Sequence, residues 1–274
     1  MNRKESKIFT LSKAALVVLA FAGCQKANQE QNQITEETYH SYLPSISREV
    51  PFEQEPIFVP SPEPSPTPEV VITRPPGEIV RGNLERPEIA LTFDCGASGV
   101  PTPTILGALG AENIKATFFL TGKWVQQYPD LARQIAAEHE IGNHSFSHPD
   151  FKNLTNEQIL AEMELAEQII FETTGKETRP LWRAPFGSRD ARILSVIKAA
   201  GWIYHIFWTA DSGDWIEGIL PQTIKDNINN RAQNGTIFVQ HCGSTQTAQI
   251  IAAEITDLEA KGYKLTTASD LLRD

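Results

Sequence analysis

Glu88-Ile89-Ala90-Leu91-Thr92-Phe93-Asp94 is an apolar run of strand length that stops on a carboxylate, and Pro103 to Ala111 follows it with helical spacing. The same order repeats along the chain. Ala116 to Leu120 reads as a strand, Trp124 to Glu138 as a helix and Glu140 to Gly142 as a short strand. Thr155 to Thr173 is a helix opened by the Thr155/Gln158 capping box and closed at Gly175. A strand near Leu181, a helix from Asp190 to Ala200 stopped by Gly201, and an apolar strand from Trp202 to Trp208 come next. Pro221 to Arg231 is helical, Thr236 to Gln240 a strand, Gln246 to Lys261 a helix ended by Gly262, and Leu265 to Thr267 a last strand. Strands that alternate with amphipathic helices predict an α/β fold of parallel strands under a helical cover. About seven such units are too few for a complete eightfold barrel, so the expected fold is a distorted (β/α) barrel with about seven parallel strands. No glycine-rich phosphate loop follows any strand, which argues against nucleotide binding.

Three segments are expected. Residues 1–24 read as a targeting segment: Arg3, Lys4 and Lys7 supply a basic start, Ala14 to Ala22 an apolar core too short for a bilayer, and Ala22-Gly23-Cys24 a small-residue cleavage site. Cys24 after Ala-Gly resembles a bacterial lipobox, which implies lipidation at Cys24 and a membrane-anchored, exported protein; Phe21, where Leu is usual, leaves a plain secretory signal open. Residues 25–77 read as a disordered linker, because Pro60 to Pro68 has proline at every second position and favours an extended polyproline spacer. Residues 78–274 form the folded domain, expected to be monomeric.

A formal net charge of −10, from 34 acidic and 24 basic residues, argues against a nucleic-acid partner and a polyanionic substrate held by a basic field. A neutral or cationic polymer fits that charge. Three cysteines are present; with Cys24 lipidated, Cys95 and Cys242 remain in a chain sent to an oxidising space.

The chemistry gathers where the strands end. Asp94 and Cys95, His144 and His148, Arg183 to Gly187, Asp211 to Trp215, and His241 with Cys242 all stand at C-terminal strand ends, the edge where parallel α/β architectures build sites. His144 and His148 are four positions apart, and two neutral imidazoles that reach one point make half of a divalent-metal site able to activate water. His205, inside the apolar run Tyr204 to Trp208, is expected to be a satisfied core histidine.

Thr92-Phe93-Asp94, His144-Ser145-Phe146-Ser147-His148, Arg183-Ala184-Pro185-Phe186-Gly187, Asp211-Ser212-Gly213-Asp214-Trp215 and Val239-Gln240-His241 resemble, in order, the five motifs of the polysaccharide deacetylases. This is the NodB-type homology domain of carbohydrate esterase family four, and the resemblance covers about residues 85–270. It implies metal-assisted removal of acetyl groups from N-acetylated or O-acetylated sugars. Carried over motif by motif, Asp94 is the catalytic base and Arg183 orients it; His241 is the general acid and Asp211 keeps it protonated. His144 and His148 hold a divalent metal, zinc or else cobalt or manganese. The N–H of Phe186 helps bind the oxyanion, and Trp215 forms an apolar wall for the acetyl methyl. Asp214 is given only a loop-shaping part.

Cys95 departs from the pattern, since the residue after the base is typically a second Asp that completes the metal triad. Three readings stay open: a thiolate ligand, a silent residue, or a disulfide with Cys242. The expected activity is deacetylation of a cell-envelope or extracellular polysaccharide of peptidoglycan or chitin type. The rivals are an O-acetyl esterase on glycans such as xylan, and a non-catalytic glycan-binding envelope protein.

Overall fold

The computed structural model describes residues 75–273, so the targeting segment, Cys24 and the linker up to residue 74 lie outside the described residues. Among the described residues nine strands form one sheet, and every pairing in it is parallel. They are β1 (Gly77–Ile79), β2 (Glu88–Cys95), β3 (Thr117–Leu120), β4 (Glu140–Asn143), β5 (Leu181–Trp182), β6 (Tyr204–Ile206), β7 (Ala210–Asp211), β8 (Ile237–His241) and β9 (Lys264–Thr266). Their order is β1-β6-β5-β4-β3-β2-β8-β7, with β9 beside the start of β2. The sheet is a curled half-barrel rather than a closed ring, in keeping with the expected distorted barrel. The two strands beyond the expected seven are short: β1 has 3 residues and β7 has 2, too few for alternation to show in sequence.

Eight α-helices connect these strands among the described residues: α1 (Thr102–Ala111), α2 (Gly122–Gln127), α3 (Pro129–Glu138), α4 (Asn156–Thr174), α5 (Ala191–Ala199), α6 (Pro221–Arg231), α7 (Thr245–Ala260) and α8 (Ala268–Leu271). The single helix expected over Trp124 to Glu138 is two, because Pro129 cannot donate into a continuing helix and starts a new one at N1. The capping box at Thr155 is present, and Gly175 ends α4 at φ 72°, a left-handed conformation that favours glycine. The strand expected over Trp202 to Trp208 narrows to Tyr204–Ile206.

Side-chain alternation along β2 sorts the core into two layers. Ile89, Leu91, Phe93 and Cys95 pack with Ile105 and Leu109 of α1, Ile135 of α3 and Ile251 and Ile255 of α7, on the helical side. Ala90 faces the inside of the arc with Ile79, Phe119, Leu181, Ile206 and Ile237, and Leu271 of α8 fills that interior. Thr92 and Asp94 continue the inner face. The fold therefore aims Asp94 into the arc and Cys95 away from it. No helix among the described residues is long and apolar enough to cross a membrane.

Candidate active site

Asp94 ends β2 with 6 % of its surface exposed. Its Oδ1 accepts a 2.7 Å bond from Arg183 Nη1. Arg183, which follows β5, is wholly buried; its Nε donates to the Ile206 carbonyl at 2.8 Å and its guanidinium lies 4.2 Å from the centre of the Phe119 ring. Removing either charge would strand the other in the interior, at a cost of about 3–5 kcal/mol. Burial pushes the Asp94 carboxyl up, but Arg183, His144 and His241 outweigh it and hold it below the usual carboxylate range. Asp94 is thus a carboxylate at neutral pH, ready to accept a proton.

The segment after β4 carries the two adjacent imidazoles. Asn143 anchors it, its Nδ2 donating to the Met163 carbonyl at 3.0 Å and its Oδ1 accepting from Ser145 N at 2.9 Å. Glu162 of α4 accepts from both the N–H and the hydroxyl of Ser147 at 2.7 Å, and His148 N donates to Ser145 Oγ at 3.0 Å. Ser145 and His148 adopt left-handed φ values of 65° and 62°, a strained turn that these bonds hold. The His144 and His148 rings meet edge to face with centroids 4.8 Å apart. His144 Nδ1 lies 2.9 Å from the Arg183 carbonyl, which can only accept, so Nδ1 carries the hydrogen and Nε2 keeps its lone pair. That Nε2 is 3.6 Å from Asp94 Oδ2. Burial lowers the pKa of both rings, His148 to about 3, so both are neutral at pH 7.

His241 ends β8 and is the register partner of Asp94 across β2 and β8. Its hydrogen-bonded charge partner is Asp214, where the expectation named Asp211, whose charge also raises the His241 pKa without a hydrogen bond to it. Asp214 Oδ1 meets His241 Nδ1 at 2.7 Å, while Oδ2 accepts from His241 N at 2.8 Å and from Thr247 Oγ1 at 2.6 Å. Asp211 instead folds the loop: its carboxylate accepts from Gly213 N at 2.8 Å and from Trp215 Nε1 at 3.2 Å. A left-handed Gly213, φ 78°, reverses the chain between the two acids, so only the second reaches the imidazole. Burial lowers the His241 pKa, but the hydrogen bond and charge of Asp214 outweigh it and leave it above the ordinary value.

Phe186 and Trp215 stand at the surface, 69 % and 64 % exposed, and the Phe186 ring lies edge-on to His148 at 4.4 Å between centroids. Phe186 has φ 57°, a third left-handed non-glycine residue in the same site. His205 is a core histidine: its Nε2 accepts from Ala184 N at 3.3 Å, and its Nδ1 lies 3.3 Å from Glu78.

Cys95 and Cys242 are joined as a disulfide with Cα atoms 5.1 Å apart. Cys95 as a metal ligand is therefore corrected on two counts: its sulfur is committed, and its side chain lies on the helical side of β2. The next position does face the site, since a Cβ on Gly96 would stand 3.9 Å from His148 Cδ2, but glycine has no donor. Among the described residues no group of three His, Cys, Asp or Glu side chains is placed to hold a metal. The donors present fit a divalent ion held by two imidazoles and completed by water, and do not fit the three-ligand centre usual for catalytic zinc.

A polysaccharide deacetylase family model matches residues 81–205. The peptidoglycan-N-acetylmuramic acid deacetylase PdaA of Bacillus subtilis is 34% identical over 70% of this chain and 73% of its own length. The chain belongs to the polysaccharide deacetylase family. YlxY of Bacillus subtilis, an uncharacterized protein, is 32% identical over 72% of this chain, which spans 61% of that relative's length. Among solved structures, a mutant of BA3943 from Bacillus anthracis, described as a CE4 family pseudoenzyme with restored enzymatic activity, superposes with a TM-score of 0.68. It is 29% identical, with 73% of this chain and 72% of that chain covered. The polysaccharide deacetylase fold thus accommodates active members and at least one described as a pseudoenzyme. Asp214, given only a loop-shaping part by the sequence, and Glu162, given none, are the site-building residues that sequence reasoning missed. Only the order Asp-x-x-Asp hinted at Asp214, and nothing local pointed to Glu162, which lies a helix away from the loop it holds.

Proposed function

We propose that residues 78–274 remove acetyl groups from N-acetylated sugars of a cell-wall polysaccharide of peptidoglycan or chitin type. The observation that carries this is the pairing of Asp94 with His241 across β2 and β8, each held by its own buried counter-charge. Amide hydrolysis at neutral pH needs a base for water, a donor for the oxyanion and an acid for the departing nitrogen. Asp94, its other oxygen fixed by Arg183, takes a proton from the attacking water. The new oxygen–carbon bond turns the acetyl carbonyl into an oxyanion, which the Phe186 N–H stabilises. His241 donates a hydrogen bond from Nδ1–H to the Asp214 carboxylate and carries on Nε2 the proton for the sugar nitrogen. As the carbon–nitrogen bond breaks, that proton is transferred, leaving acetate and a free amino sugar. His144 and His148 would hold a divalent metal, zinc, cobalt or manganese; when bound it would lower the pKa of its water and polarise the carbonyl. Trp215 forms the wall against the acetyl methyl. Export, with anchoring through Cys24, supplies access to such a polymer.

A second reading has two observations in its favour. The missing third metal ligand suits a non-catalytic glycan-binding protein, and a similar structure carries the description pseudoenzyme. Acetate release from N-acetylglucosamine oligosaccharides and from peptidoglycan, with Zn²⁺, Co²⁺ or Mn²⁺ supplied, separates the two. Release that falls about 10²-fold or more in Asp94→Asn supports the deacetylase. A folded protein that binds the glycan and releases nothing under all three metals overturns it.

A further inference from the structure

We infer that the Cys95–Cys242 disulfide is a positioning cross-link for the base and the acid, so that reducing it lowers turnover without removing any group that touches substrate. The inference rests on the deacetylase reading for its effect on rate, and on geometry alone for its effect on the site.

Each half-cystine directly follows a reacting residue: Cys95 follows Asp94 and Cys242 follows His241. Asp94 and His241 are the last register pair of the β2–β8 ladder, and the Cys242 N–H donates to the Asp94 carbonyl at 3.1 Å. Past this point β2 leads into the loop toward Pro101 and β8 into Gly243 and Ser244. The disulfide ties the two strands where ladder pairing ends. Both cysteines are fully buried in the apolar cluster on the helical side, opposite Asp94, so the sulfurs lie outside the pocket. The lateral supports of the two reacting groups come from different places: Arg183 follows β5 and Asp214 lies beyond β7, on opposite sides of β2 in the sheet order. Neither support fixes the distance from base to acid. The last rungs of the β2–β8 ladder set it, and the cross-link holds those rungs closed where pairing ends. It also maintains a close approach of the two loops, for a Cβ on Gly243 would come within 3.0 Å of Ser98 O and 3.1 Å of Ser98 N.

Reduction balances with a dithiol as co-reactant. One thiolate attacks a cystine sulfur, the sulfur–sulfur bond breaks, and the second thiol resolves the mixed disulfide. Two electrons and two protons end on Cys95 and Cys242 as thiols, and the reductant leaves as its own disulfide. A misplacement of about 1 Å between reacting groups can cost on the order of 10²-fold in rate. A loss of about tenfold or more in kcat with little change in KM is therefore expected.

The test compares the oxidised full-length protein with Cys95→Ala/Cys242→Val, whose apolar replacements preserve the core, and with the dithiol-reduced wild-type protein should the variant fail to fold. Acetate release gives kcat and KM, and the imidazole resonances of His241 report the site directly. The expected result is a fall in kcat, a near-constant KM and shifted His241 resonances, equal in the variant and the reduced protein. A lower melting temperature with kcat and the His241 resonances unchanged would mean that the disulfide only stabilises the fold, and overturns the inference. An oxidised protein without activity overturns the deacetylase reading instead; the His241 resonances then still decide for or against the cross-link.

Discussion

Asp94 and His241 each meet a buried partner of opposite charge at 2.7 Å, whereas His144 and His148 face each other with no third ligand beside them among the described residues. Both halves stand on the same C-terminal edge of one parallel sheet, so the fold treats them alike. The difference lies in what the neighbouring positions contribute. Arg183 and Asp214 reach across from other strand ends to complete the acid–base half. In the other half, the residue after the base turns its side chain into the helical layer and the one after that is glycine. On the proposed reading, the acid–base pair is complete in a deacetylase domain whose metal half has two of three ligands among the described residues.

The largest effect should come from the incomplete half. With two imidazoles as its only protein donors, a bound ion should be lost to a mild chelator and return on addition of Zn²⁺, Co²⁺ or Mn²⁺, carrying acetate release down and up by about 10²-fold. His148→Ala should abolish that metal response while leaving the melting temperature nearly unchanged, because the ring lies at the site and not in the core clusters. Metal titration followed by scattering-free calorimetry and acetate assay measures both. A tightly held ion that survives dialysis would erase the contrast between the halves.

A smaller effect separates the two acids of the loop after β7. Asp214→Asn removes the charge that holds the His241 pKa above its ordinary value, and burial, the opposing influence, then pulls it down. The protonated acid is lost at lower pH, so the alkaline limb of the kcat profile should move to lower pH and activity at neutral pH should fall about tenfold. Asp211→Asn can still accept from Trp215 and Gly213 and removes only a charge that acts on His241 without a hydrogen bond, so its limb should move in the same direction but less. Equal shifts in the two variants would mean that the two acids share the role.

Much of this was legible in the sequence because it depends on local pattern. Apolar runs ending on polar residues gave the strands and the edge that bears the site, and the Thr155 capping box gave the start of its longest helix. The order of motifs placed Asp94, Arg183, the two histidines and His241 at strand ends, and the structure brings them to one rim. What escaped is set by tertiary geometry. Asp211 and Asp214 are equivalent carboxylates on paper, and only the turn at Gly213 decides which one faces His241. Whether Cys95 and Cys242 bond depends on the adjacency of β2 and β8, strands 147 residues apart in the chain at the two cysteines. The side to which Cys95 points follows from strand alternation, yet the ladder had to be seen to run as far as residue 95. Pro129 was visible, but a proline at N1 of a second helix and one inside a single helix read alike until the chain is folded.

The smallest effect on rate, and the last probe of the acid half, concerns Glu254 on α7. It is fully buried, and its Oε1 accepts from Gln240 Nε2 at 2.6 Å. Among the described residues Gln240 Oε1 and Glu254 Oε2 are both buried without a partner, two acceptors that a proton on Glu254 would join into a reciprocal amide–acid pair. Burial pushes this carboxyl up to about 8, with the charge of Asp214 adding to the shift. A folded-state pKa above the unfolded value of 4.5 means that the neutral form favours folding. Its stabilisation is complete below about pH 4.5 and is lost progressively as pH rises through about 8. Glu254→Gln keeps the two-bond pairing with Gln240 and cannot ionise. The variant should therefore match the wild-type protein in stability near pH 5 and exceed it by on the order of a few kcal/mol at pH 8, with kcat at neutral pH changed less than about twofold. Denaturant titrations at several pH values measure the gap. A gap that stays constant from pH 5 to 9 would mean that Glu254 is ionised in the fold, and that the acid half rests on a buried anion rather than on a neutral pair.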